Sequence, residues 1–451
     1  MLIDFTIKNY QAFKNEVSLN MLAASTVKEC EDENNTIHNV WKDNTGKLRV
    51  LKTAAIYGAN GSGKSTILKA MTDFRWMILK SFIEESYVKT ISQQYFKFSI
   101  TGAKTPISMQ MIFMVDTKRY RIGFEILDGK ILTEWLYVLK ENSIKESYCY
   151  KREGSTIKVN PKEFKGASGI SSKTRGNALF ISTCAQFNVI VAMEIKEWIR
   201  KRFNILSGSD DTLKYTARFF MNNKIIQNRI INIVNCVDEC IKNIDVTEQI
   251  TESSGNKIDI NNGLIKELFF HFDTKKDIGT VKEHKLDIFT SHDVYDNNEI
   301  VNSTTLSFQH ESLGTRRLFS LLGPWFDTLQ NGGVLIIDEY GTSLHTQLSI
   351  ELLKLFSNIS NKHCAQLIFT THDTNLLRRD FLRRDQIWFT EKDRFGISDL
   401  YSLVEYKINQ ATSVRNDASF EKDYLNGRYG AIPYFGNIPK FIAEYGSEEE
   451  N

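Results

Sequence analysis

The octapeptide Gly58-Ala59-Asn60-Gly61-Ser62-Gly63-Lys64-Ser65 constrains this chain more than any other segment. It satisfies the pattern G-x-x-x-x-G-K-[ST] in full. Its glycines let consecutive backbone N–H groups point into one concavity, and a helix starting there turns its N-terminus toward the same anion. Such a loop needs a strand before it and a helix after it. Both are legible: Thr53-Ala54-Ala55-Ile56-Tyr57 is apolar, and Ser65 to Phe82 carries Ile67, Leu68, Met71, Phe74, Met77 and Ile78 at helical spacing. The motif predicts a triphosphate site in which Gly58, Asn60, Gly61, Ser62, Gly63, Lys64, Ser65 and Thr66 cradle the phosphates. Lys64 is expected on the β- and γ-phosphates and Ser65 on Mg2+, making ATP and Mg2+ the expected cofactors.

A second strand, Gly333-Val334-Leu335-Ile336-Ile337, ends in Asp338-Glu339. Four consecutive apolar β-formers suit a central parallel strand buried on both faces, and ligand chemistry in open α/β sheets sits at the carboxyl ends of strands. Beside a phosphate loop, Asp338 is expected to hold the metal and Glu339 to act as general base on the attacking water. Taken alone, the same residues would read as an acidic cap before the next helix. A third run, Gln366-Leu367-Ile368-Phe369-Thr370, ends in Thr371-His372-Asp373, where His372 can donate to the terminal phosphate. It follows the acidic pair by one helix and one strand.

The remainder of the chain sorts by period. Leu2, Phe5 and Ile7 alternate, followed by Tyr10 and Phe13, as in a short strand turning into another. Residues 95–160 have period two, with a hairpin signal at Leu127-Asp128-Gly129-Lys130. Residues 189–245 return to helical spacing, and 250–305 are polar and weakly patterned. From 312 onward helix and strand alternate (Leu318–Leu329, Gly333–Ile337, Leu344–Phe356, Gln366–Thr370), which implies parallel strands joined by crossover helices. Pro324 falls inside the first of these helices and should end or kink it. No heptad pattern persists long enough for a coiled-coil arm.

Bulk properties exclude several classes. With 57 basic and 55 acidic residues the net charge is +2, which gives no electrostatic case for nucleic acid. The 6 cysteines are scattered without a C-x-x-C pair, as expected of reduced thiols in cytoplasm. No run of about 18 apolar residues is present to span a bilayer. Met1-Leu2-Ile3-Asp4-Phe5 has an acid within its apolar run and does not read as a signal peptide.

Taken in order, these motifs resemble the ABC-ATPase head shared by RecF, SMC and OLD-family proteins. Within that group the chain resembles stand-alone ATPases of bacterial abortive-infection systems, the AbiL and RloA type. The resembling pieces are Leu2 to Tyr10, the phosphate loop, Glu311-Ser312-Leu313-Gly314-Thr315-Arg316-Arg317-Leu318-Phe319, the Asp338-Glu339 strand, Ser343-Leu344-His345, Thr371-His372-Asp373, and Tyr424 to Pro433. The resemblance implies a head split into two lobes. Residues 1–188 would form the first lobe with its antiparallel region, 189–305 a mainly helical insertion, and 306–451 the second lobe. It also implies a homodimer or higher homo-oligomer closed around ATP, in which Ser312 and Gly314 contact the partner copy's γ-phosphate. Gln186, after Ala178-Leu179-Phe180-Ile181, resembles the glutamine that senses Mg2+ and water; a surface glutamine is the alternative. Read without the resemblance, Ser312 is a simple helix cap.

The likeness has departures. The signature Ser-Leu-Gly-Thr lacks a double glycine, and His345 stands where transporters place an aspartate. Residues 373–451 are too few for the Toprim nuclease domain of OLD proteins, so no second catalytic centre is expected. The expected role is sensor and regulator of an anti-phage system acting through a separately encoded effector. The alternatives are a RecF-like DNA-repair ATPase and an ATP-bound assembly scaffold. Nucleic acid stays open as a partner through Arg200-Lys201-Arg202 and Arg378 to Arg384, although charge runs of this kind are usually solvated helix faces.

Overall fold

The computed structural model describes residues 1–30, 36–141, 143–206, 209–253, 281–408, 412–414 and 419–432. A six-stranded sheet runs through its centre. Its strands are β5 (Thr53–Gly58), β11 (Phe203–Leu206), β15 (Val334–Ile337), β16 (Gln366–Thr370), β17 (Ile387–Lys392) and β18 (Ser398–Ser402), in the order β11-β15-β16-β5-β17-β18. All neighbours are parallel except β17 and β18. The apolar runs are uninterrupted because both faces of this sheet are covered. Ala54, Ile56, Val334, Ile336 and Ile368 face one buried cluster, while Ala55, Tyr57, Leu335, Ile337, Leu367 and Phe369 face the other.

The first cluster lies between this sheet and a seven-stranded antiparallel one. The latter joins β1 (Leu2–Lys8) and β2 (Val17–Asn20) to β6 (Ile107–Val115), β7 (Lys118–Leu127), β8 (Lys130–Leu139), β9 (Ser147–Glu153) and β10 (Thr156–Val159). The helix after the phosphate loop, α1 (Lys64–Lys80), fills the gap between the sheets. Its Phe74 meets Phe5 edge-on at 5.7 Å and stacks on Phe124 at 5.4 Å. At the β7–β8 hairpin Asp128 and Gly129 both take positive φ (48° and 71°), the geometry expected of that dipeptide. A short two-stranded ribbon of β3 (Val40–Lys42) and β4 (Arg49–Leu51), and α2 (Glu85–Ser92), complete this half.

Residues 189–305 depart from the expectation of a mainly helical segment. Helices α4 (Ile190–Arg202), α5 (Ser209–Asn222) and α6 (Lys224–Val237) are present, following α3 (Phe180–Gln186). However, β11 joins the central sheet, and β12 (Ile241–Ser253), β13 (Val281–Asp296) and β14 (Glu299–Ser307) form an antiparallel sheet of their own. The sequence signal is weak there because β14 is exposed along almost its whole length, so neither face demands apolar residues.

Pro324 does not end its helix: α7 (Leu313–Asn331) runs straight past it in sequence. A proline removes its own N–H and leaves the carbonyl four residues back, here Ser320, without a partner. The Thr216 hydroxyl of α5 donates to that carbonyl at 2.6 Å and accepts from Gly323 N–H at 3.2 Å. Gly323 is what allows α5 so close, since a Cβ there would lie 2.3 Å from Thr216 Oγ1. The arginines of 378–384 divide: Arg378 and Arg379 are exposed outside any helix, whereas the other two are not solvated. Arg383 is buried and paired with buried Asp385 at 2.6 Å, and Arg384 is buried as well.

Urea unfolding should show Gly323→Ala destabilised by roughly 1–3 kcal/mol through overpacking against Thr216. Thr216→Val should lose roughly 1–3 kcal/mol, because the Ser320 carbonyl is left buried and unpaired.

Candidate nucleotide site

Strand order brings the motifs together. β16 lies between β5 and β15, so the carboxyl ends of three parallel strands deliver the phosphate loop, the acidic pair and His372 to one edge. Gly58, Gly61 and Gly63 adopt positive φ (150°, 72° and 119°), which side chains resist. A Cβ on Gly58 would sit 2.4 Å from the Thr390 carbonyl, so β17 presses directly on the loop. The Thr390 hydroxyl holds the buried Ser62 hydroxyl at 2.6 Å and fixes the loop from below. Above Gly61 a Cβ would meet nothing within 4 Å, which leaves that side of the cradle open. Helix α1 starts with no side-chain cap and no acid in its first turn, and Thr66 N–H turns back to Gly63 O at 3.0 Å. An uncapped, uncompensated helix N-terminus favours an anion.

Lys64 is buried, and its ammonium donates to the carbonyls of Gly58 (2.8 Å) and Ala59 (3.0 Å). Burial lowers its pKa, while the Asp338 and Glu339 carboxylates pull it back up. The Ser65 hydroxyl donates to Asp338 Oδ1 at 3.2 Å. The Thr370 hydroxyl donates to the same oxygen at 2.5 Å and accepts from Glu339 N–H at 2.8 Å. Glu339 itself stands in the left-handed region, with φ 52°, at a cost of order 1–3 kcal/mol for a non-glycine residue. Its turn is held by Tyr340 N–H on Thr370 O at 2.8 Å and by the Thr371 hydroxyl on Tyr340 O at 2.9 Å.

These residues fit a nucleoside triphosphate with its metal. Three open-φ glycines form the cradle, a lysine awaits phosphate oxygens, and a hydroxyl–carboxylate pair offers hard oxygen ligands. His372 reaches the same neighbourhood. Partial desolvation and the Lys64 ammonium lower its pKa below the ordinary 6.5, opposed by Glu339 and Asp338. Its neutral form can donate from one ring nitrogen.

Other expected site residues lie apart from this cluster. Ser312 caps α7, its hydroxyl accepting from Thr315 N–H at 3.0 Å, and a Cβ on Gly314 would lie 3.0 Å from Ser343 O. In the single chain the signature thus abuts the loop after the acids, and exposed Leu313 stands beside it. His345 caps α8 (Thr346–Ser357) through Nδ1, which accepts from Gln347 N–H at 3.2 Å. Gln186, at the exposed end of α3, is outside the hydrogen-bonded cluster. Three residues escaped the sequence reading. Thr370 and Thr390 are polar ends of apolar strands, a signal that could have flagged them. Arg317 on α7 has its pKa lowered by burial and opposed by the Glu339 carboxylate; nothing in its sequence position marks it.

Fold and site together define a P-loop nucleotide-binding domain. Residues 54–182 and 242–378, more than half of the chain, match the family described as "AAA domain, putative AbiEii toxin, Type IV TA system", and the chain belongs to that family. The matched residues include β5 from Ala54 onward, the phosphate loop, the signature, the acidic pair and His372; Gln186 falls in the unmatched stretch. No curated protein matches. Among solved structures, an SMC head bound to the C-winged helix domain of ScpA is 12% identical, with a TM-score of 0.43 over 91% of this chain and 99% of that one. The SMC head domain from Thermotoga maritima is 11% identical, with a TM-score of 0.37 over 89% and 98%. An SMC head with an extended coiled coil, bound to the C-terminal domain of ScpA derived from Pyrococcus furiosus, is 14% identical, with a TM-score of 0.38 over 91% and 97%. Among the described residues no helix is long and apolar enough to cross a membrane.

An NMR titration of labelled histidines should put His372 below 6.5, and Lys64→Met should raise it by removing a nearby positive charge. A proton that the folded chain binds less readily than the unfolded one favours unfolding as pH falls. This histidine's contribution to stability should accordingly decline below 6.5 and be restored above it.

Proposed function

We propose that this protein binds and hydrolyses Mg-ATP at a site completed by a second copy of itself, and that the cycle controls a separately encoded effector of an anti-phage system in the bacterial cytoplasm. One observation carries the chemical part. Ser65 and Asp338, far apart in sequence, share a hydrogen bond beside Lys64, with Glu339 fixed one residue away. Bound ATP would supply the phosphoanhydride and Mg2+ the charge that neutralises its oxygens. Lys64 would exchange the Gly58 and Ala59 carbonyls for phosphate oxygens. Ser65 and Asp338 would hold the metal, with Gln186 reaching it from α3 when the lobes close. Glu339 would orient water and take its proton, and neutral His372 would donate toward the terminal phosphate.

The exposed signature supports the shared site. Ser312, Leu313 and Gly314 lie at the N-terminus of α7 and make their local contacts within the signature and the Ser343 loop, leaving that helix end to face a partner copy. The abortive-infection setting is supported by the family's description. Free thiols at Cys30, Cys149, Cys184, Cys236, Cys240 and Cys364 agree with a reducing compartment. Burial of Arg383 and Arg384 removes much of one of the two basic segments available to nucleic acid, which weakens the DNA-repair reading.

Glu339→Gln should keep ATP affinity while losing about 10²–10⁴-fold in turnover, as expected for a lost general base. Sedimentation should then show an ATP-dependent dimer accumulating for this variant. Lys64→Ala should bind no fluorescent ATP analogue, and in a phage-plating assay with the neighbouring gene present it should lose protection. Full protection by Glu339→Gln would instead indicate an ATP-bound scaffold.

A further inference from the structure

Thr370 ends the third apolar run, and among the described residues its hydroxyl hydrogen-bonds to both Asp338 and Glu339. An Asp338 carboxylate can only accept and the Glu339 N–H can only donate, so both bonds have a fixed sense. The hydroxyl hydrogen goes to Asp338 Oδ1, and the oxygen lone pair goes to the Glu339 amide. Asp338 Oδ1 therefore receives two hydroxyl protons, from Thr370 and Ser65, while Oδ2 takes part in neither bond. At the same time the Glu339 amide is tied at the one residue of this turn held at φ 52°. A non-glycine residue persists in that region only where its surroundings over-determine it.

We propose that Thr370 is a positioning residue that presets two things at once: the carboxylate of Asp338 for a divalent cation and the peptide plane of Glu339 for general-base catalysis. The role rests on the ATP-hydrolysis reading but acts before any nucleotide binds. Its place also links the acids to His372, because Thr370 O accepts from Tyr340 N–H and only Thr371 lies between Thr370 and His372. The threonine end of β16 is thus a clamp between the acidic turn and the histidine.

Thr370→Val keeps the shape and removes both bonds; Thr370→Ser keeps both. In nucleotide-free protein, hydrogen exchange at the Glu339 amide should speed up at least about tenfold in the valine variant and return to the wild-type rate in serine. Mn2+ binding in the presence of a non-hydrolysable ATP analogue, read by paramagnetic resonance, should weaken about tenfold in valine and recover in serine. Analogue affinity in EDTA should stay within about twofold throughout. Wild-type exchange and Mn2+ affinity in the valine variant would overturn the proposal. So would a valine variant that loses analogue affinity in EDTA, or valine and alanine variants that both fail to fold, since Thr370 would then be structural. A wild-type chain without ATP turnover would sink the hydrolysis reading while leaving the exchange result standing.

Discussion

Burial of the central sheet on both faces is the constraint from which the rest of this structure follows. A parallel strand covered on one side could alternate, but β5, β15 and β16 cannot, so each is a block of apolar residues. Polar chemistry is thereby expelled to the strand ends. Since the three strands are neighbours and parallel, their carboxyl ends coincide. Asp338, Glu339, Thr370 and His372 lie together because the middles of their strands are apolar and the carboxyl ends of those strands are neighbours. The antiparallel sheet serves the same end at a distance: with α1 pressed between the sheets, Phe5 and Phe124 grip Phe74 and fix the direction of the helix whose first residue is Lys64.

The site itself is a balance of one buried cation against two carboxylates and several carbonyls. Lys64 gains two carbonyl acceptors, yet burial still lowers its pKa, so it is a charge held in readiness rather than one at rest. Partial desolvation, and then that charge, lower the pKa of His372. A phosphate arriving in the cradle would remove the repulsion between these two groups, and the acidic pair would then act on both. The coupling needs no moving part, only charges near enough to feel one another through a partly desolvated pocket.

Much of this was legible in sequence for a plain reason. The phosphate loop, the Asp338-Glu339 strand and the Gln366–Thr370 strand are local patterns whose chemistry and period agree, and the same holds for the Asp128-Gly129 hairpin. What escaped is non-local. Thr370 and Thr390 act across neighbouring strands, so their roles depend on strand order, which no window of sequence contains. β11 was hidden in a helical stretch because four residues, Phe203 to Leu206, are too short a run to stand out. β14 was hidden for the opposite reason, since it is long but buries almost nothing. Arg383 looked solvated because its partner Asp385 and the surrounding core are brought together only in the fold.

Pro324 shows how closely the stretch outside the family match is bound to the part inside it. Helix α7 carries the signature at its N-terminus and a proline halfway along, and alone it would break at the freed Ser320 carbonyl. The repair comes from Thr216 on α5, in the unmatched residues 183–241. A further contact joins the same elements: Phe220 of α5 lies 5.9 Å from Phe319 of α7. A proline and glycine in the middle of a helix are costly unless a neighbour is always present to complete the ladder. Their presence here implies that α5 is a constant companion of α7. A segment outside the family match is therefore built into the element that carries the signature, and any displacement of one must be felt by the other.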